Sequence, residues 1–204
     1  LSDEVREDLG AKVVAGAEAV GYRGLATFEF LRDADGEFYF LEVNPRVQVE
    51  HTVTEMIAGV DLVSLGIRIA AGESLPITQD EVSISGHAIQ TRINAENPFT
   101  LEPSPGRIWE CHWPGGPGVR VDTHAHTGYD MPPSFDSLLA KVIVWAPTRN
   151  EAIAKMDSAL AETLIIGVDT LIPLHRAILN EIDFRNREVT IRYLDEHPGL
   201  LDGA

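Results

Sequence analysis

Glu29 and Glu42 lie on either side of a short polar segment, Asp33-Ala34-Asp35-Gly36, each inside a run of alternating side chains. Ala26, Phe28 and Phe30 alternate with Thr27, Glu29 and Leu31, and Phe38, Phe40 and Glu42 alternate with Tyr39, Leu41 and Val43. This pattern predicts two strands joined as a hairpin. With Asp35-Gly36 as a two-residue turn, residue 34 pairs with 37 and Glu29 falls directly across from Glu42. A longer loop would slide that pairing. Opposed carboxylates destabilise a ladder by up to about 1 kcal/mol, so the placement makes sense if a cation sits between them. A hard divalent ion such as Mg²⁺ fits best. Continued at a period of two, the second strand puts Glu42, Asn44, Arg46, Gln48 and Glu50 on one face. Val43, Pro45, Val47, Val49 and His51 take the other. The polar set supplies a carboxylate and an amide oxygen for a metal, an arginine for an anion and a further carboxylate able to act as base. A solvated edge strand, which Pro45 permits, is the plainer alternative.

The elements that must position these groups follow from periodicity and punctuation. Ser2 or Asp3 can cap a helix carrying Val5, Leu9, Val13 and Ala17 on one face and stopping at Gly21. Thr54 can cap a following turn, and Asp61 opens a second helix through Leu62, Leu65, Ile69 and Ala70 to Gly72. Gly72 to Asp80, with Pro76, is the expected domain boundary. Strands are predicted over Val82–Ile93, Ile108–Trp113, Val119–Asp122 and Ser137–Trp145, with a loop over Asn97–Gly106 and a turn at Pro114-Gly115-Gly116-Pro117-Gly118. Helices fit Arg149–Leu164 and Thr170–Glu181, so strands precede helices in an α+β arrangement.

Composition limits the choice of function. The chain has 204 residues, 16 basic and 32 acidic, with a net charge of −16, a field that repels nucleic acid and anionic membranes. Its lysines are Lys12, Lys141 and Lys155, none in a Gly-rich loop, and no G-x-x-x-x-G-K-[ST] or G-x-G-x-x-G stretch occurs. A complete nucleotide site is therefore not expected. Cys111 has no partner for a disulfide or a C-x-x-C zinc site and reads as a structural thiol in a reducing compartment. No apolar run approaches the roughly 20 residues of a membrane span. His124 and His126 lack an evident third metal ligand, and Trp109 and Trp113 are expected to pack a core. The opening Leu1-Ser2-Asp3-Glu4 is consistent with a piece of a longer protein.

The run Phe38-Tyr39-Phe40-Leu41-Glu42-Val43-Asn44-Pro45-Arg46-Val47-Gln48-Val49-Glu50-His51-Thr52-Val53-Thr54-Glu55 closely resembles the signature of biotin carboxylases. The likeness extends upstream through Gly24-Leu25-Ala26-Thr27-Phe28-Glu29-Phe30. Downstream it continues through Gly59-Val60-Asp61-Leu62, Gly86-His87-Ala88-Ile89-Gln90-Thr91-Arg92-Ile93-Asn94-Ala95-Glu96 and Phe135-Asp136-Ser137-Leu138-Leu139-Ala140-Lys141. The resemblance implies an α+β chain in which residues 1–75 form the C-terminal lobe of an ATP-grasp domain. Residues 82–188 would form a biotin carboxylase C-terminal domain with a mixed or antiparallel sheet and packed helices, and 189–204 a tail.

In that family ATP phosphorylates bicarbonate to carboxyphosphate, whose CO₂ is taken up by a ring nitrogen of biotin on a carrier domain or subunit. By resemblance, Glu29 and Glu42, helped by Asn44, hold the Mg²⁺ or Mn²⁺ ions that bridge the ATP phosphates. Arg46, Gln48 and the backbone of Val49 hold bicarbonate, and Glu50 is the base that deprotonates it. Arg92 stabilises the enolate form of biotin from the second domain. Phe135 and Asp136 are supporting positions, and His51 stays outside the catalytic set. The implied partners are ATP, bicarbonate, a biotin carrier domain, a carboxyltransferase and, for the parent, a second copy of itself; nucleic acid and membrane are not expected. The compartment implied is the cytoplasm, or the mitochondrial matrix in a eukaryote. Departures from the family pattern fall at Thr52, Leu171 and Pro117, the last in a loop that family members use near a subunit contact. The isolated chain is expected to be inactive. Two alternatives remain: an ATP-grasp ligase of the carbamoyl-phosphate type, and a non-catalytic docking module for a biotin carrier.

Overall fold

The computed structural model describes residues 1–33 and 35–201, so Ala34 of the expected turn and residues 202–204 of the expected tail lie outside the described residues. The chain divides into two compact units, Leu1–Ser83 and Ile84–Ala204.

The first unit opens with helix α1, Asp3–Ala19, whose N-cap Ser2 accepts from the Val5 amide. Its half-buried positions are Val5, Leu9, Val13 and Ala17, the stripe that periodicity marks. Strands β1, Thr27–Arg32, and β2, Phe38–Asn44, form an antiparallel hairpin. Its loop differs from a two-residue turn. The Asp33 amide donates to the Glu37 carbonyl at 3.0 Å, and Gly36 takes φ +93°, which a side chain would resist. Arg32 therefore pairs with Phe38 and Phe30 with Phe40, one residue out of the expected register, until a bulge between Glu29 and Phe30 restores the count and sets Glu29 opposite Glu42.

The bulge also changes the faces. Phe28, Phe30, Phe38, Phe40 and Val43 border one apolar hollow of about 630 Å³ above α1, so Phe40 parts company with Glu42. Helix α2, His51–Ala58, and helix α3, Leu62–Ala70, complete the unit, α3 being capped by Asp61 onto the Ser64 amide. Among the described residues no helix is long and apolar enough to cross a membrane.

The second unit is built on strand β3, His87–Asn94, followed by β4, Gly106–Arg107; β5, Glu110–His112; β6, Val119–Thr123; β7, Asp130–Met131; and β8, Leu138–Ala146. Helix α4, Arg149–Glu162, strand β9, Leu164–Ile166, and helices α5, Ile172–Asn180, α6, Ile182–Asn186, and α7, Tyr193–Glu196, follow. The main sheet has the order β3-β8-β6, and every strand pair described is antiparallel. Central β8 reads Leu-Leu-Ala-Lys-Val-Ile-Val-Trp-Ala and is buried along most of its length. Its inner face, with Ile93, meets Ala152, Ile153, Met156, Ala159 and Leu160 of α4.

The strands flanking the Pro-Gly turn go to different partners, β5 to β9 and β6 to β8. Gly118 ends that turn at φ +74°, where a Cβ would come within 2.7 Å of the Trp145 carbonyl oxygen. The expectation for the tryptophans holds for one of them. Trp113 wedges between the two core clusters and donates to the Ala125 carbonyl, whereas Trp109 is 65% exposed with the Arg107 guanidinium over its ring.

Candidate functional site

Glu29 and Glu42 face each other across β1 and β2, and one side-chain amide joins them. Asn44 Nδ2 donates to Glu29 Oε1 at 2.8 Å and to Glu42 Oε1 at 3.0 Å, while Gln48 Nε2 donates to Glu29 Oε1 at 3.2 Å. The donors between the two carboxylates are thus neutral amides, which soften the repulsion without cancelling its charge. Rotation of the Asn44 amide would turn its oxygen to the same point, giving an all-oxygen donor set suited to a hard divalent cation. Among the described residues no three His, Cys, Asp or Glu side chains group as a metal site. Two carboxylates fit an ion that takes its remaining ligands from water and phosphate oxygens, the habit of Mg²⁺.

Beyond Asn44 the chain departs from the alternating strand that the sequence predicts. The partner strand ends at Thr27, opposite Asn44, and Pro45 has no amide to continue a ladder. The Arg46 amide turns back onto the Asn44 carbonyl at 2.9 Å, the His51 amide bonds to the Gln48 carbonyl at 3.2 Å, and α2 begins with Glu50 as its N-cap residue. Arg46, Gln48 and Glu50 nevertheless converge, because this turn wraps a cleft of about 330 Å³ that they line with Thr27, His51 and Leu62. Val49 is half-buried and does not line it. Gln48 links the cleft to the carboxylate pair through its bond to Glu29.

His51, which the sequence leaves out of the site, fixes this turn. Its Nδ1 lies 2.7 Å from the Gln48 carbonyl, which can only accept, and its Nε2 is 3.9 Å from buried Glu55. The i,i+4 spacing of His51 and Glu55 at a helix start is the signal that points to it.

Arg92 belongs to the second unit. Buried Thr91 and Ile93 flank it, so its side chain lies on the outer face of β3. Directly across on β8 is Lys141, whose Nζ is 3.2 Å from Asp122 Oδ2 on β6. Arg120 grips the same carboxylate at 2.7 and 3.0 Å. Burial pushes the Asp122 carboxyl up, but the hydrogen bonds and charges of Arg120 and Lys141 outweigh it and hold its pKa below the usual aspartate value. Sequence reading assigns no role to Lys141, Asp122 or Arg120, because cross-strand neighbours appear only once the register is known.

The remaining candidates lie outside both sites. His124 and His126 set their rings edge-on to Tyr129, Cys111 is a half-buried thiol that desolvation pushes up, and Phe135 is 78% exposed.

Known proteins match both units. Residues 90–196 match the family described as biotin carboxylase C-terminal domain, and residues 1–78 match the carbamoyl-phosphate synthase L chain, ATP binding domain. The biotin carboxylase of Haemophilus influenzae is 48% identical over 200 residues, covering 98% of this chain and 44% of that protein. The chloroplastic biotin carboxylase of Arabidopsis thaliana is 50% identical over 198 residues, 97% of this chain and 37% of that protein. The bicarbonate-bound biotin carboxylase domain of a thermophilic 2-oxoglutarate carboxylase superposes with a TM-score of 0.97 at 48% identity, over 100% of this chain and 46% of that one. The chain spans less than half the length of these relatives. With more than half of its own residues inside the C-terminal-domain match, and with the same fold throughout, the chain belongs to the biotin carboxylase family.

Proposed function

We propose that this chain is part of an ATP-dependent biotin carboxylase, which activates bicarbonate and passes its carboxyl carbon to biotin on a carrier domain. The observation that carries the reading is the Glu29–Glu42 pair linked through Gln48 to a cleft lined by Arg46 and Glu50. Arg46 and Gln48, with the Val49 backbone, hold bicarbonate, since a planar guanidinium pairs with a planar oxyanion and amides donate to it. Glu50 takes its proton, so that a bicarbonate oxygen can attack the γ-phosphorus and release ADP. Glu29 and Glu42, with Asn44, would hold Mg²⁺ or Mn²⁺, and that ion would supply positive charge against the phosphate oxygens. Carboxyphosphate then yields CO₂ and phosphate. A biotin ring nitrogen gives its proton to the released phosphate and bonds to the CO₂ carbon while Arg92 stabilises the negative charge that develops on the ring.

The remaining phosphate contacts are not expected from this chain alone. Lys12 pairs with Asp8, Lys141 with Asp122, and Lys155 donates to the Pro117 and Trp145 carbonyls. A biotin carboxylase domain from Hydrogenobacter thermophilus is described as a dimer in complex with MgADP, ADP and bicarbonate, which supports the same ligands and a homodimeric parent here. A carboxyltransferase would take the carboxyl group onward.

The test uses the full-length parent with Glu50→Gln. Loss of bicarbonate-dependent ATP hydrolysis by on the order of 100-fold or more, with an unchanged unfolding midpoint, is the expected outcome. Unchanged carboxylation would assign the chain to carrier docking instead. The match of residues 1–78 to a carbamoyl-phosphate synthase domain favours a second reading, the same activated bicarbonate with a different acceptor. Offering the parent biotin and ammonia in turn separates the two, carboxybiotin supporting the first and carbamoyl phosphate the second.

A further inference from the structure

β3 is an edge strand of its sheet, and an edge leaves every second carbonyl without a ladder partner. Two of these, on Arg92 and Asn94, are met from the side by α5 and the residue before it. His175 Nε2 lies 2.9 Å from the Arg92 carbonyl oxygen, and the Leu171 amide donates to the Asn94 carbonyl at 3.3 Å. A carbonyl can only accept, so Nε2 carries the proton. Burial pushes the His175 pKa down, against the opposing effects of the Arg92 carbonyl and Glu96, so the ring stays neutral around pH 7 with its proton on the side that β3 needs. Arg176, next to it on α5, is occupied with Asp157 of α4 at 2.8 Å.

This clamp lies at a residue with a like-charged cross-strand neighbour. Arg92 stands directly across from Lys141, and like charges so placed repel. Asp122 draws Lys141 towards β6. A guanidinium on a long stem is only as well aimed as the backbone that carries it, and on the free edge that backbone is fixed by α5.

We propose that His175 is a positioning residue for Arg92: by clamping the Arg92 carbonyl to α5 it sets the point from which the guanidinium reaches the biotin ring. The inference rests on the biotin-facing role of Arg92 given above. It separates His175 from the bicarbonate chemistry, whose residues all lie in the first unit.

The experiment compares His175→Leu, which keeps bulk and removes the donor, with His175→Gln, which retains an N–H. Both are made in the full-length parent. His175→Leu is expected to lower kcat/KM for biotin carboxylation on the order of 10- to 100-fold, the scale of a small misplacement of a reacting group. Bicarbonate-dependent ATP hydrolysis without biotin stays at the wild-type level, and His175→Gln recovers most of the loss. A His175→Leu enzyme that carboxylates biotin like the wild type overturns the proposal. So does one in which both activities and the unfolding midpoint fall together, since that assigns His175 to the fold alone. If the wild-type parent does not carboxylate biotin at all, the proposed function falls and this role with it; a competent wild type with a silent His175→Leu removes only the positioning role.

Discussion

Glu29 and Glu42 oppose each other with an amide, not an arginine, between them, and the balance of two effects decides what that does to the metal-free chain. Opposed like charges cost a few tenths to about 1 kcal/mol. A hydrogen bond to a charged group contributes about 1.5–3 kcal/mol where it is sheltered, but Glu42 is exposed and Glu29 only half-buried, so solvent discounts the Asn44 bonds heavily. The repulsion should therefore survive in part. Glu42→Gln keeps an oxygen for Asn44 and removes one charge, and it is expected to raise stability in chelator by up to about 1 kcal/mol. Mg²⁺ is expected to raise the unfolding midpoint of the wild-type chain, and the same substitution should abolish that rise, because a bound ligand stabilises only the state that holds it. Denaturant melts with and without Mg²⁺ read both effects. A Glu42→Gln chain less stable than wild type in chelator would mean that Asn44 already cancels the repulsion.

At the scale of elements, α7 is held to α6 by a device that titrates. His197 Nδ1 lies 2.9 Å from the Tyr193 carbonyl, its Nε2 lies 3.0 Å from Asp183 Oδ2, and its ring stacks on Tyr193 at 4.2 Å. Both partners are acceptors, so only the doubly protonated ring satisfies both. The Tyr193 carbonyl first, then the Asp183 carboxylate, raise the His197 pKa above its ordinary value, with Glu181 adding to the field. A raised folded pKa gives a contribution fully present below the unfolded value of about 6.5 and lost as pH rises through the folded one. Amide protection over residues 193–201, corrected for intrinsic exchange, should fall as pH rises from about 6.5 through the raised folded pKa, and His197→Gln should flatten that dependence. Protection indifferent to pH would remove the device. This clasp is not legible in the sequence, because it joins residues on two short helices whose ends only tertiary packing sets. The long elements are legible: α1, the hairpin, β8 and α4 follow from capping and periodicity. The Glu29–Glu42 pairing emerges through two one-residue differences that cancel, a longer loop and a bulge, neither marked by residue type. The turn at 45–50 is hidden by its own alternation, and β9 by its brevity, its first residue Leu164 reading as the last of the preceding helix.

The two units differ in what holds them together. Among the described residues every fully buried hydrophobic side chain, from Ile93 onward, belongs to Ile84–Ala204. In Leu1–Ser83 the buried residues are Thr52 and Glu55, while Val20 is 77%, Ile67 66% and Phe40 60% exposed. A fully buried aliphatic or aromatic side chain contributes about 1.5–3 kcal/mol, so the unit carrying the carboxylate pair lacks the main source of cooperative stability, and the unit carrying Arg92 has it in two clusters. Local opening follows the density of buried apolar contacts. Native-state hydrogen exchange on the chain should therefore show amides of α1, β1 and β2 exchanging through openings of much lower free energy than those of β8 and α4. Limited proteolysis should cut first within residues 1–83 and leave a resistant body from the second unit. Equal protection in the two units would contradict this, and would mean that the aromatic face of the hairpin finds cover within the chain itself. In the full-length parent the same amides should gain protection while those of β8 change little. That selective gain is expected if the hollow beside Phe28, Phe30, Phe38 and Phe40 is filled there, so that completing the first unit and ordering its carboxylates become one event.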